Sequence, residues 1–353
     1  MNLKELLMLC KERNASDLHL SSDAPPLIRV VGKLEKVSDE KITKEEIRQT
    51  IYSLLSDNQK ARFDKEMELD FSIEYPEIGR FRVNAYSQRR GDSLAFRLIP
   101  TKIKSVRELG LPLVLENFAH ESRGLVLVTG VTGCGKSTTL AAMIDLINQK
   151  RTEHIITIED PIEYVYENKN CLIDQREIGT NTGSFYGALK NALREDPNVI
   201  LVGEMRDLET IAMTITAAET GHLVFATLHT VNAPQTITRI IDVFPAAQQD
   251  QIRTQLAEVI LSVVSQTLIP TIDEKERVCA AEVMVTTSAI KNIIREGKVY
   301  QIPSLIQTGR KDGMQTMDQA LEALVNETKI TKQEAIKRAF NKNIFDRYGY
   351  ESR

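Results

Sequence analysis

Gly130, Val131, Thr132, Gly133, Cys134, Gly135, Lys136 and Ser137 satisfy the spacing GxxxxGK[ST], with an apolar run from Leu125 to Val128 before them and a helical pattern after them. A strand, a glycine loop and a helix in that order is the context that makes such a match meaningful. Glycines let backbone N–H groups close around phosphates, and the helix N-terminus adds the positive end of its dipole. Lys136 then neutralises the terminal phosphates, and Ser137 Oγ offers a ligand to Mg²⁺. Gly130, Thr132, Gly133, Cys134, Gly135, Lys136, Ser137 and Thr138 are therefore the expected phosphate-binding set.

Three more segments end in groups that could act on a bound phosphate. NVILVGE, 198–204, is an apolar strand finishing in Glu204, where an acid holds Mg²⁺ directly or through water. HIITIEDPIEY, 154–164, places Glu159, Asp160 and Glu163 at the end of another strand, and one of these acids should orient an attacking water. Helix caps or solvated loop charges are the plainer roles for Asp160 and Glu163. LVFATLHT, 223–230, ends in Thr227, His229 and Thr230, and His222 precedes it after the helix stop Thr220-Gly221. A histidine there can sense a γ-phosphate or relay contacts between subunits, or it is simply structural.

Bringing these ends together requires a particular scaffold. From Leu125 onward, strands that are apolar throughout alternate with helical patterns at 137–150 and 208–220, which implies a parallel sheet covered on both faces. Such sheets bind ligands outside the carboxyl ends of their strands. Beyond Asn232 the pattern reads as helical over 246–265, 287–297 and 317–340, with one strand-like piece at Val278 to Val285, and the tail from 341 carries little signal. The first hundred residues instead mix a short helix with alternating strands: Leu27, Ile28, Val30 and Val31, then FSIEY, then a hairpin turning at Arg90, Gly91 and Asp92 that carries Arg82 and Arg97. This predicts an α/β chain with a small α+β domain over 1–100, a linker over 101–118 and a larger domain over 119–353.

Composition narrows the class. The 353 residues amount to about two domains. With 45 Lys plus Arg against 49 Asp plus Glu, the chain lacks the basic excess of a protein whose main task is gripping nucleic acid. Cys10, Cys134, Cys171 and Cys279 form no CxxC pair, which fits reduced cytoplasmic thiols rather than a zinc site or disulfides. MNLKELLMLCKER reads as an amphipathic helix and not an export signal. No apolar stretch approaches the ~20 residues that span a bilayer, so any membrane association is expected to be peripheral. Cys134, beside Lys136 and near a helix N-terminus, is expected to have a lowered pKa and to be the most reactive thiol, shielded by bound Mg-ATP, unless its side chain points inward.

Taken together, these motifs resemble the secretion ATPases of type II secretion and type IV pili, and within them the pilus retraction branch. ASDLHLS (15–21) resembles the N-terminal signature, GVTGCGKST the Walker A motif, TIEDPIEY the Asp box, ALREDPNVILVGEMRD (192–207) the Walker B motif and TGHLVFATLHT (220–230) the His box. SAIKNIIREGK (288–298) is similar to the AIRNLIRE motif of retraction ATPases, as are QIPSLIQTG and GMQTMDQAL between 301 and 321. The resemblance implies a PAS-like N-terminal domain and a RecA-like P-loop ATPase domain with a helical C-terminal part. It also implies a cytoplasmic homohexamer that hydrolyses ATP with Mg²⁺ and drives pilin disassembly through a platform protein at the inner membrane. By the same resemblance Glu159, Glu163, Glu204 and His229 are the catalytic candidates, and Arg82, Arg97, His222, Arg176 and Arg194 join the nucleotide contacts, the last two across a subunit interface. Val131, Cys134, Asn198 and Lys291 depart from the family's usual residues. An extension-type assembly ATPase is the nearest rival, disfavoured by the short segment before ASDLHLS and the lack of a four-cysteine zinc site. A non-catalytic ring subunit is the rival from another class, disfavoured by intact Lys136, Ser137, Glu159, Glu204 and His229.

Overall fold

Alternating residues give strands with one covered face, and the first unit is built from them. In the computed structural model, which describes residues 2–30, 32–99 and 102–347, the chain begins with α1 (Leu3–Glu12), β1 (Asp17–Ser21), β2 (Leu27–Val30) and β3 (Lys33–Lys36). Helices α2 (Lys44–Leu54) and α3 (Asp57–Glu66) follow, and both start on capping boxes, Thr43 with Glu46 and Ser56 with Gln59. Strands β4 (Glu68–Tyr75), β5 (Gly79–Gln88) and β6 (Gly91–Leu98) complete an antiparallel sheet in the order β3-β2-β1-β6-β5-β4. Phe81, Val83 and Phe96 face its core together with Ile47, Ile51 and Phe63 from the helices. The expected hairpin is β5–β6, with Arg82 directly opposite Arg97. Expectations placed on Val31, on Pro100 and Thr101, and on the tail from 348 lie outside the described residues.

The second unit comprises 103–162 and 166–353, and residues 163–165 group with the first. Val106, Leu111, Leu115 and Phe118 are buried in the second unit's core, so the stretch expected to link the domains packs there, including the short helix α4 (Val114–Phe118). Then come β7 (Gly124–Thr129), α5 (Lys136–Lys150), β8 (His154–Glu159), β9 (Leu172–Glu177), α6 (Phe185–Ala192), β10 (Val199–Val202), α7 (Leu208–Glu219), β11 (Leu223–Leu228), α8 (Ala233–Asp242) and α9 (Gln249–Val259). Strands β12 (Ile260–Pro270) and β13 (Arg277–Val285) close the sheet, α10 (Ser288–Arg295), α11 (Ile302–Thr308), α12 (Met317–Asn326) and α13 (Lys332–Arg338) follow, and a 3-10 turn at Lys342–Arg347 finishes the described chain. The strand order is β13-β12-β7-β11-β10-β8-β9, parallel except for β13.

Burial explains the apolar runs. Along β7, Leu125 and Leu127 join one core cluster and Val126 and Val128 another, so each face of the sheet is covered. The α/β class is the one expected, with an antiparallel first unit before a parallel second unit. One helical expectation is corrected: 260–265 belongs to β12, because the β-branched run from Ile260 is buried between β7 and β13. The expected helix over 317–340 is two, interrupted where Thr328 takes a positive φ of 54°. No helix among the described residues is long and apolar enough to cross a membrane.

Candidate phosphate-binding and catalytic site

Parallel pairing sets the site. Thr129 lies beside Leu228, Val202 beside both Ala226 and Ile158, and so the carboxyl ends of β7, β11, β10 and β8 share one edge. At that edge the chain passes from β7 through the glycine loop into α5. Gly130, Gly133 and Gly135 take φ of 138°, 77° and 91°, values open to glycine at little cost. At Gly130 space is also decisive, since a Cβ there would sit 2.4 Å from the Gln266 carbonyl oxygen and 2.6 Å from Cys134 Sγ. Lys136, the first residue of α5, folds back over the loop, and its Nζ donates to the carbonyls of Gly130 (2.8 Å) and Val131 (3.3 Å). Thr132, Gly133 and Ser137 are exposed on the outer side of this turn.

Two carboxylates stand on the neighbouring strand ends. Glu159 closes β8, buried, with Thr157 Oγ1 donating to its Oε1 at 2.7 Å and Gln175 Nε2 reaching the same oxygen at 3.5 Å. Glu204 follows Gly203 after β10. Its Oε2 is 2.8 Å from Arg206 Nη2 and its Oε1 is 2.9 Å from His229 Nε2. Burial works to raise the Glu204 pKa, yet Arg206 and His229 outweigh it and hold the carboxyl below its usual range. A charged carboxylate, a cation and an imidazole thus meet beside the glycine loop's strand, and Asp160 adds its field to Arg206.

These motifs lie within a match to the type II/IV secretion system protein family model that covers residues 3–346. The chain belongs to the type II/IV secretion system proteins. Within this family it is 50% identical over 339 residues to the type IV pilus retraction ATPase PilT of Pseudomonas aeruginosa, covering 96% of this chain and 98% of that one. It is 49% identical over 316 residues to a twitching motility protein of Neisseria gonorrhoeae, 90% and 84% of the two chains. A crystal structure of the pilus retraction motor PilT with bound ADP superimposes with a TM-score of 0.92 at 43% identity, over 98% of this chain and 99% of that one.

Not every residue expected from the family motifs converges. His222, placed among the nucleotide contacts, lies away from the glycine loop of its own chain: its carbonyl accepts from Gly124 N at 3.0 Å at the start of β7, and its Nδ1 lies 2.9 Å from the Ala217 carbonyl. The six residues of β11 therefore put it roughly 20 Å from His229, at the opposite edge. Arg194 is exposed in the turn before β10, also on the amino-terminal side. Arg176 is on the productive edge, opposite Ile158, and its Nη1 donates to Glu195 at 2.9 Å. In the first unit Arg97 Nε donates to Asp17 at 2.9 Å, Arg82 Nε lies 4.0 Å from Asp70, and both arginines line a cavity of about 350 Å³. Glu163 falls in the short segment grouped with that unit. Two of the departures have local partners: Asn198 Oδ1 accepts from His154 N at 3.0 Å, and Lys291 Nζ lies 3.6 Å from Glu258.

Cys134 does not present the reactive thiol expected from its neighbours in sequence. Its side chain is buried, and although Lys136 and nearby backbone N–H groups favour the thiolate, burial outweighs them and pushes the thiol pKa up. The inward direction follows from the loop, whose glycine at 130 leaves the space that the sulfur fills. We expect maleimide at pH 7.5 to label Cys134 slowly in the folded chain, with little change on adding Mg-ATP. Peptide mapping by mass spectrometry checks this, and fast labelling blocked by nucleotide would contradict the packed thiol.

Sequence reasoning missed three side chains at the site. Arg206 lies two residues beyond Glu204, Thr157 two residues before Glu159, and Gln266 is a polar residue in the buried run of β12. A carboxamide inside an otherwise apolar strand is a usable signal, because buried polar atoms require partners.

Proposed function

We propose that this chain is the ATP-hydrolysing motor of type IV pilus retraction. The observation that carries the reading is the convergence of Lys136, Glu159, Glu204 and His229 on one sheet edge, in a chain that matches a retraction ATPase over nearly its full length. In this reading the loop N–H groups and Lys136 bind the β- and γ-phosphates, Glu159 or Glu163 orients the attacking water, and His229 senses the γ-phosphate. Ser137 and Glu204 supply hard oxygen donors suited to Mg²⁺, which when bound neutralises charge on the phosphates.

The PAS-like domain over 1–100 and the RecA-like ATPase domain over 119–353 assemble, on this proposal, as a cytoplasmic homohexamer at the inner face of the plasma membrane. There the ring acts on a platform protein, with peripheral membrane contact only and no nucleic acid. Arg82 and Arg97 contribute nucleotide contacts, and Arg176 and Arg194 serve across the subunit interface. Helix α10 is the coupling element: Ile290 and Ile294 are buried, Lys291 and Arg295 engage Glu258 of α9, and Ala289 is exposed.

The test has two parts. The purified chain should release phosphate from ATP and run at the hydrodynamic mass of six copies; a monomer without turnover overturns the reading. Ala289→Asp, on the exposed face of α10, should keep ATP turnover within about threefold and the melting temperature unchanged, yet abolish pilus retraction in a retraction-deficient host. Normal retraction by this variant would remove α10 from the coupling role, and wild-type chain that restores no retraction would favour an assembly ATPase.

A further inference from the structure

Gln266 lies in β12, more than 120 residues from the phosphate loop in sequence, yet its side chain is spent on that loop and on the start of the helix that follows it. It is 4% exposed. Its Nε2 donates to the Cys134 carbonyl at 2.8 Å, and its Oε1 accepts from Thr139 Oγ1 at 2.9 Å. The orientation of the amide is fixed by chemistry, because a carbonyl can only accept and so must face the nitrogen. The preceding residue, Ser265, shares a 2.8 Å hydrogen bond with Thr129, the last residue of β7. Strand β12 therefore grips the loop before its first glycine and again after its last turn.

A trans peptide is planar, with its carbonyl and the following N–H pointing in opposite directions. Holding the Cys134 carbonyl inward on Gln266 consequently turns the Gly135 N–H outward, to the side where Thr132, Gly133 and Ser137 are exposed. Thr139, in the first turns of α5, is tied to the same carboxamide, so the peptide and the helix N-terminus share one reference point. We propose that Gln266 is a positioning residue for the nucleotide, holding the Cys134–Gly135 peptide so that its N–H faces the phosphates. It touches no substrate. This inference rests on the reading of the glycine loop as the nucleotide site.

Two substitutions separate positioning from plain support. Gln266→Glu keeps the shape and the acceptor for Thr139 but, when ionised, sets an oxygen against the Cys134 carbonyl. Gln266→Met removes both hydrogen bonds without adding charge. Each should raise the KM for Mg-ATP and the Kd for ADP about tenfold at pH 8, with kcat changed less. In the Glu variant the deficit relative to parent should shrink as pH falls to 6, since the protonated carboxyl donates again; in the Met variant it should not. A Met variant that melts lower yet binds ADP as the parent does overturns the inference. If the Met variant does not fold, the Glu variant decides, and a deficit independent of pH overturns it. Lys136→Ala measured alongside keeps the two readings apart: if that variant still hydrolyses ATP, the loop assignment fails, whereas if it is inactive and the Gln266 variants bind normally, only the present inference fails.

Discussion

Lys136→Ala should lower ATP turnover by about a thousandfold or more, through lost stabilisation of charge on the transferred phosphoryl group. The ammonium is placed for that task by local structure alone. It begins α5, so the helix dipole and its own charge point to the same side, and its stem folds across the loop to Gly130 and Val131. Its partners in the structure are two backbone carbonyls, with no paired charge left behind when the side chain is cut back, so the melting temperature should change little. A phosphate-release assay on the purified chain with excess ATP, followed from the pre-steady state, checks both kcat and the residual burst. Turnover within tenfold of the parent would mean that nucleotide is held elsewhere.

How much of this could be read without coordinates depends on the range over which each signal acts. The glycine loop is local: its spacing, the apolar strand before it and the helix after it are all contiguous, and all three formed as expected. The parallel sheet was legible because a strand buried on both faces is apolar nearly throughout, as β10 is at every position and β7 and β11 are apart from Thr129 and Thr227. Register across the sheet is not local. His222 and His229 flank the same strand in sequence, and only the direction of β11 shows that they occupy opposite edges. Cys134 was misread for a related reason, since adjacency to Lys136 in sequence does not say on which side of a tight turn a side chain falls. The β12 strand was lost to ambiguity, because an apolar run that continues from a helix without Gly or Pro carries no boundary mark.

Glu204→Gln should leave ADP binding within a few-fold of the parent and lower kcat by two to three orders of magnitude, about what the loss of one well-placed catalytic charge costs. The change is nearly isosteric, so its effect reports on charge. In the folded chain that charge is held ionised by Arg206 and His229, with burial opposing them. The sign of this shift means the pairing is complete above the ordinary carboxylate range and is lost only as pH falls through the lowered value, so activity measured between pH 7 and 8 is free of Glu204 titration. Arg206→Ala provides the contrast: it leaves the carboxylate present but releases one of its two partners, so it should cost less than Glu204→Gln if the acid itself is needed. The opposite ranking would assign the function to the guanidinium. Glu159→Gln tests the second strand end in the same assay, because its carboxylate is buried against Thr157 and a neutral amide there cannot draw a proton from water. If Glu204→Gln and Glu159→Gln both turn over ATP at the parent rate, the carboxyl edge of β8 and β10 is not where hydrolysis occurs.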